Sequence, residues 1–223
     1  MNASELVVKV ARDLGDYESG HEFARWKAAD LLEYLTDAMR VVVLLRPDAN
    51  AVTVPVLLAT GSTRQTIPPD GARFLCLVRN MGDGQTPGLP ITPIKREDLD
   101  AANQGWHDDA FSAVVDHYVY DDAVPTVFYV SPPPAAGLYV DLSYARLPQP
   151  VPALDSEIPL SGIWSEPLRE YMMYRAYTRN DSSADDLGKG ERHLSRFFTV
   201  LGEESKAKLV FSPNFNRDGG QTR

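Results

Sequence analysis

LLEYLTDAMRVVVLLRPDANAVTVPVLLAT, residues 31–60, changes its period halfway along. In the first half, Leu31, Leu35, Ala38, Met39, Val42 and Leu45 recur at three- and four-residue steps, the spacing of one helix face. Trp26 extends that stripe backwards, so the spacing predicts a helix over 25–45. Arg46-Pro47 ends it, because the residue before a proline is pushed out of the helical region. Asp48-Ala49-Asn50 reads as a turn. The second half, Val52 to Thr60, is β-branched and apolar, and Pro55 marks it as an edge strand.

Working outward, residues 3–14 carry Leu6, Val7, Val10, Ala11 and Leu14 at helical spacing, stopped by Gly15-Asp16. Downstream of the switch the pattern stays extended. Arg64–Ile67 and Ala72–Arg79 read as strands, the latter followed by a turn over 80–84. Ala113–Tyr120 and Thr126–Val130 read as a hairpin turning at Asp121-Asp122. Pro132-Pro133-Pro134 marks a loop, and Gly137–Leu147 alternates as a half-buried strand does. Helical spacing resumes at Trp164, Leu168, Tyr171, Met172, Arg175 and Ala176. A last helix opens at a capping box over Ser183–Asp186, runs through Leu194, Phe197, Phe198 and Leu201, and stops at Gly202.

Helices thus come from both ends and strands from the middle. The expected fold class is α+β. The N- and C-terminal segments, 1–50 and 160–202, form an α-helical bundle. An antiparallel β-sandwich or barrel-like module, 51–147, is inserted into it. Residues 148–159 form a Pro-rich linker and 203–223 an extended C-terminal arm. Trp26, Tyr34, Trp164, Tyr171, Phe197 and Phe198 are expected to supply much of the bundle core.

The arm is rich in Lys, Ser, Asn and Gly. Burying Leu209, Val210, Phe211 and Phe215 returns less than the backbone entropy of ordering some twenty residues. The arm is therefore either floppy or a segment that orders against a partner; its spaced apolar residues favour the second, with those four as its docking anchors.

Charge narrows the function. The net charge is −9, which argues against a protein that grips nucleic acid. The acids Glu97, Asp98, Asp100, Asp108, Asp109, Asp116, Asp121 and Asp122 fall in one stretch without a lysine or arginine. Such a stretch is either a solvated face or a surface that repels a polyanion. The N-terminus lacks the pattern of a signal peptide, and no apolar run is long enough for a membrane helix. The single cysteine, Cys76, excludes an internal disulfide and suits a reducing cytoplasm.

No constellation carries catalysis. His107-Asp108-Asp109 are adjacent and point apart, so they make no metal site unaided. Asp116 and His117 fall on opposite faces of a strand. His21 and His193 stand alone, and Cys76 reads as a small hydrophobe. There is no Gly-x-Ser-x-Gly elbow and no P-loop. The expectation is no enzyme, no cofactor, no metal and no catalytic residue.

The runs LLEYLTDAMRVVVLLRPDAN at 31–50, RQTIPPDGARFLCLVRNMG at 64–82 and PLREYMMYRAYTRN at 167–180 resemble head-to-tail adaptor proteins of short-tailed bacteriophages. That resemblance implies a virion structural protein of the tail or neck, assembled in the host cytoplasm. Such adaptors form a ring, commonly of twelve copies, between the portal protein and the tail nozzle protein. DNA passes through the ring without specific binding, and no membrane is involved. The portal-docking role of a C-terminal extension carries onto Leu209, Val210, Phe211 and Phe215. Since an acidic bore repels phosphates, some of the acids in the stretch, with Asp98, Asp100, Asp108, Asp109, Asp121 and Asp122 as candidates, are expected to line such a channel. Two other readings stay open. One is a neck or tail-completion protein of a long-tailed phage. The other is a carbohydrate-binding β-sandwich using Trp106, Tyr118, Tyr120, Phe128 and Tyr129.

Overall fold

A computed structural model of the chain describes residues 1–179 and 184–211, the side chains of 184 and 203–211 excepted. The fold is mixed α+β, and the chain divides into two compact units. One comprises residues 1–42 with those from 148 onward; the other is Val43–Leu147.

The first unit is helical. Helix α1 spans Ala3–Asp13 and is capped by Asn2, whose side chain accepts from the Ser4 amide. Its Leu6, Val7, Val10 and Ala11 are buried. The chain then forms a small hairpin of β1 (Tyr17–Glu18) and β2 (His21–Glu22). Helix α2, Ala28–Leu45, starts later than the apolar spacing predicts. The reason is Asp16, whose buried carboxylate accepts from the amides of Arg25 and Trp26 and holds them in a turn. Trp26 is buried all the same, and its indole N–H donates to the Ala176 carbonyl.

The proline-rich segment does more than connect. Its Leu154 and Ser156 carbonyls accept from the Ser4 and Ala3 amides at the start of α1. The Val151 amide donates to Thr36 Oγ1 on α2, and Val151, Ile158 and Leu160 are buried.

The second unit holds two sheets. Strands β3 (Ala51–Leu57), β5 (Gly71–Gly82) and β9 (Tyr139–Arg146) form an antiparallel sheet with β9 in the centre. As expected, β3 is an edge strand. The amide of Leu58 donates to Leu138, so the odd-numbered residues of β3 turn their amides outward. Pro55 removes one of those outward donors and blunts the edge. The other sheet orders β4 (Arg64–Thr66), β8 (Val127–Ser131), β7 (His117–Tyr120) and β6 (Thr92–Pro93). The β7–β8 hairpin forms as the turn at 121–122 predicts. Two expectations are corrected. The β6–β7 pair is parallel, so the module is not wholly antiparallel, and the sheets do not close into a barrel. Phe74, Leu77, Val140, Leu142 and Tyr144 of the first sheet share one apolar core with Tyr118, Phe128 and Val130 of the second.

Strand β5 also runs through 80–82, where the sequence reads a turn. Asn80 is the cause. It is buried, its side-chain amide donates to the carbonyls of Leu89 and Val115, and its oxygen accepts from the Val115 amide. A polar residue typical of turns is thus the internal bracket of a strand. Between β6 and β7 lies α3, Arg96–Ala102, a helix absent from the sequence reading. It is only two turns long, and Leu99 is its one buried residue, so it leaves no apolar period to detect.

Back in the helical unit, a short 3-10 turn, Gly162–Trp164, leads into α4, Ser165–Tyr177. Trp164, Leu168, Met172 and Ala176 are buried, as the spacing predicts. Helix α5 spans Ala184–Phe211, so Gly202 lies inside it and caps nothing. The predicted capping residue Ser183 lies outside the described residues. Gly190 has a packing role: a Cβ there would stand 2.8 Å from Thr178 Cγ2, at the close approach of α5 to the end of α4. Of the six expected core aromatics, Trp26, Trp164 and Phe197 are buried, and Tyr34 and Tyr171 are half-buried. Phe198 is 54% exposed, because it follows Phe197 by about 100° around the helix.

Candidate interaction surfaces

The acidic stretch is built around α3. Glu97 and Asp98 lie in its first turn, exposed, where carboxylates complement the positive end of the helix dipole. Asp100 has a structural role, since its Oδ1 accepts from the indole N–H of the buried Trp106 at 2.7 Å. Asp109 accepts from the Asn103 amide group at 2.8 Å, closing the loop after the helix. Asp108 is exposed at the end of a second short 3-10 turn, Trp106–Asp108. Asp121 accepts from the Ala123 amide within the β7–β8 turn. Its neighbour Asp122 pairs with Arg73 at 2.5 Å, and that hydrogen bond holds the guanidinium pKa above its ordinary value. So the six candidate acids lie on one helix, the loop following it and one hairpin turn. Asp122 shares its charge with a cation, whereas Asp98 and Asp108 stand exposed to solvent.

His107 is not loose in its loop. Its ring stacks on Trp106 at 3.6 Å between centroids, and its Nδ1 lies 2.7 Å from Thr63 Oγ1. Among the described residues no group of three His, Cys, Asp or Glu side chains is placed to hold a metal ion. Likewise, none of their helices is long and apolar enough to cross a membrane. Of the aromatics considered for sugar stacking, Trp106, Tyr118 and Phe128 are buried, while Tyr120 and Tyr129 are half-buried. Burial pushes the Tyr118 and Tyr120 hydroxyls above their usual pKa, as expected for phenols facing a core. Cys76 is half-buried in β5 and packs against the apolar core.

Of the arm anchors, positions 209–211 form the last turn of α5. Phe215 lies outside the described residues. The contacts Tyr177–His193, Tyr171–Phe197 and Glu166–Arg196 show that α4 and α5 run antiparallel. On that register α4 is used up near position 203, and α5 continues beyond it to 211.

The most conspicuous polar cluster is not legible in the sequence. Glu170 on α4 is 0% exposed. Its Oε1 lies 2.7 Å from Arg169 Nη1 and 3.6 Å from Arg196 Nε, and its Oε2 lies 2.7 Å from His193 Nδ1. Arg169 also binds Asp13 of α1 at 2.7 Å, so three helices meet on one buried charge. Nothing in the local sequence marks Glu170, since one apolar-face position occupied by Glu looks like an ordinary surface residue. The pair Arg169-Glu170 opposite an i, i+3 His193 and Arg196 is visible only once the helices are paired.

No curated protein matches the chain. The family model described as SU10 adaptor protein matches residues 1–216, a span that covers both units and reaches past Phe215. With nearly its whole length matched, the chain belongs to the SU10 adaptor protein family, the head-to-tail adaptors of short-tailed phages.

Proposed function

We propose that the chain is the subunit of a twelve-membered ring seated between the portal and the tail nozzle, extending the channel through which DNA leaves the head. The family match over 1–216 carries this reading. Two features of the chain support it. The first is the acidic edge of the β unit, where exposed carboxylates repel phosphates and let DNA slide without being trapped. The second is α5, which continues past the end of α4 and bears three of the four arm anchors. An amphipathic helix that bears apolar anchors suits docking on another protein. On this reading the unit from both chain ends is a helical bundle and the unit from the middle a two-sheet sandwich.

The local bonds choose which acids to test. Asp100, Asp109 and Asp122 hold their own loops, so changing them confounds charge with fold. Replacing Asp98 and Asp108 by lysine is expected to slow DNA ejection while leaving the fold intact. The readout is ejection kinetics from assembled particles, and an unchanged rate overturns the channel assignment.

Deleting residues 205–223 tests the arm. Phe197 and Leu201, the buried anchors of α5, precede the cut, so the subunit is expected to fold. It is expected to lose capture by the portal in a pull-down. Undiminished capture by the shortened chain overturns the docking role of Leu209, Val210, Phe211 and Phe215.

A further inference from the structure

Helix α5 carries one broad apolar face and buries one edge of it. Phe197 and Leu201 are shielded, and Gly190 lies on their side against Thr178. Phe198, about 100° on from Phe197, is 54% exposed and Leu187 is 46% exposed; their separation of eleven residues puts them on one line at the other edge, with half-buried Leu194, seven residues before Leu201, between the two edges. Apolar area does not choose between the edges. Burying Phe198 in place of Phe197, with Leu194 and Leu201 kept, would remove a comparable area from water.

The polar groups do choose. His193 and Arg196 both lie on the side of Phe197 away from Phe198, and both reach Glu170, at 2.7 Å and 3.6 Å. Turning α5 by about 100° to bury Phe198 would carry both away and leave a fully buried carboxylate with Arg169 alone. The loss of partners from a buried charge outweighs the small difference between two similar apolar edges. The ring of His193 is itself held parallel to Tyr177, 5.7 Å away, which sets the direction of its Nδ1.

We propose that Glu170 is a positioning residue that sets the rotational phase of α5, holding the Leu187–Phe198 stripe outward. This rests on the reading of α5 as the docking helix. Phase set at Glu170 carries along one continuous helix to position 211, so the docking segment is oriented from within its own unit. The lock works through specificity. A methionine at 170 would pack with little loss of stability, because Arg169 keeps Asp13 and Glu166 and Arg196 keeps Glu166.

The test uses the full chain with Phe198→Trp as a reporter. The native indoles at Trp26, Trp106 and Trp164 are all buried, so acrylamide quenching reads position 198. Adding Glu170→Met is expected to roughly halve the quenchable emission and shift it to the blue, as α5 comes to populate both phases, with the circular dichroism unchanged. His193→Leu should do the same in part, whereas His193→Gln, which keeps a donor, should retain the quenching. If Glu170→Met fails to fold, the two His193 variants decide. Quenching that is the same in every folded variant overturns the proposal. No measurement here involves the portal, so failure of portal capture would end the docking reading and leave the phase result standing.

Discussion

Truncating Phe74 to alanine is expected to destabilise the β unit by about 3–5 kcal/mol, the usual cost of emptying a large aromatic site in a close-packed core. Phe74 is 1% exposed on β5. Its ring stacks on Phe128 at 4.7 Å, meets Tyr118 edge-on at 5.4 Å and lies 4.8 Å from Tyr120. All of these contacts join the two sheets, so the cavity would open where the sheets hold each other. Tyr118 and Tyr120 cannot collapse into it freely, because each is fixed in the β7–β8 ladder. Against a total stability of about 5–15 kcal/mol, a loss of this size is a large fraction. A melting temperature about 10 °C lower, followed by calorimetry, is the expected result. A shift of only about a degree would mean that the sheets are held elsewhere.

Replacing Asn80 by alanine is expected to cost about 2–5 kcal/mol, since it strands the buried amide and carbonyl of Val115 and loses a bond to Leu89. The consequence reaches the acidic surface. Asn80 ties β5 to residues on both sides of the 96–109 segment, through Leu89 before it and Val115 after it. Its loss should loosen that segment selectively. Hydrogen exchange should therefore quicken in α3 and the following loop before it does in β9. Equal protection in α3 of the variant and the native chain would count against the bracket. Asn80→Asp is the sharper control: it keeps the acceptor for Val115 and removes both donations.

Particular residues show how far the sequence can be read. Pro55 announces an edge strand correctly, because a missing N–H is a local fact with one topological consequence. The alternation of Val140, Leu142 and Tyr144 announces a half-buried strand, since period two is likewise local. The reading fails where a residue's role depends on a distant partner. Asn80 has the character of a turn residue until Val115 is beside it. Gly202 has the character of a cap, yet α5 runs through it to 211. Phe197 and Phe198 fit one stripe, because spacings of three and four residues allow either as a core position. The six candidate acids are legible as a charge run, but the separate bonds that four of them make to Trp106, Asn103, Ala123 and Arg73 are not.

The sequence alone determined that helices come from both ends and strands from the middle, the negative charge and its concentration in one stretch, and the family, since each follows from composition, period or motif. Only the tertiary structure decided which face of α5 is buried. Phe197 and Phe198, at the two edges of one broad apolar face, make that choice degenerate along the helix. It is broken by a buried carboxylate on another helix, Glu170, whose partners His193 and Arg196 lie more than twenty residues away in the chain.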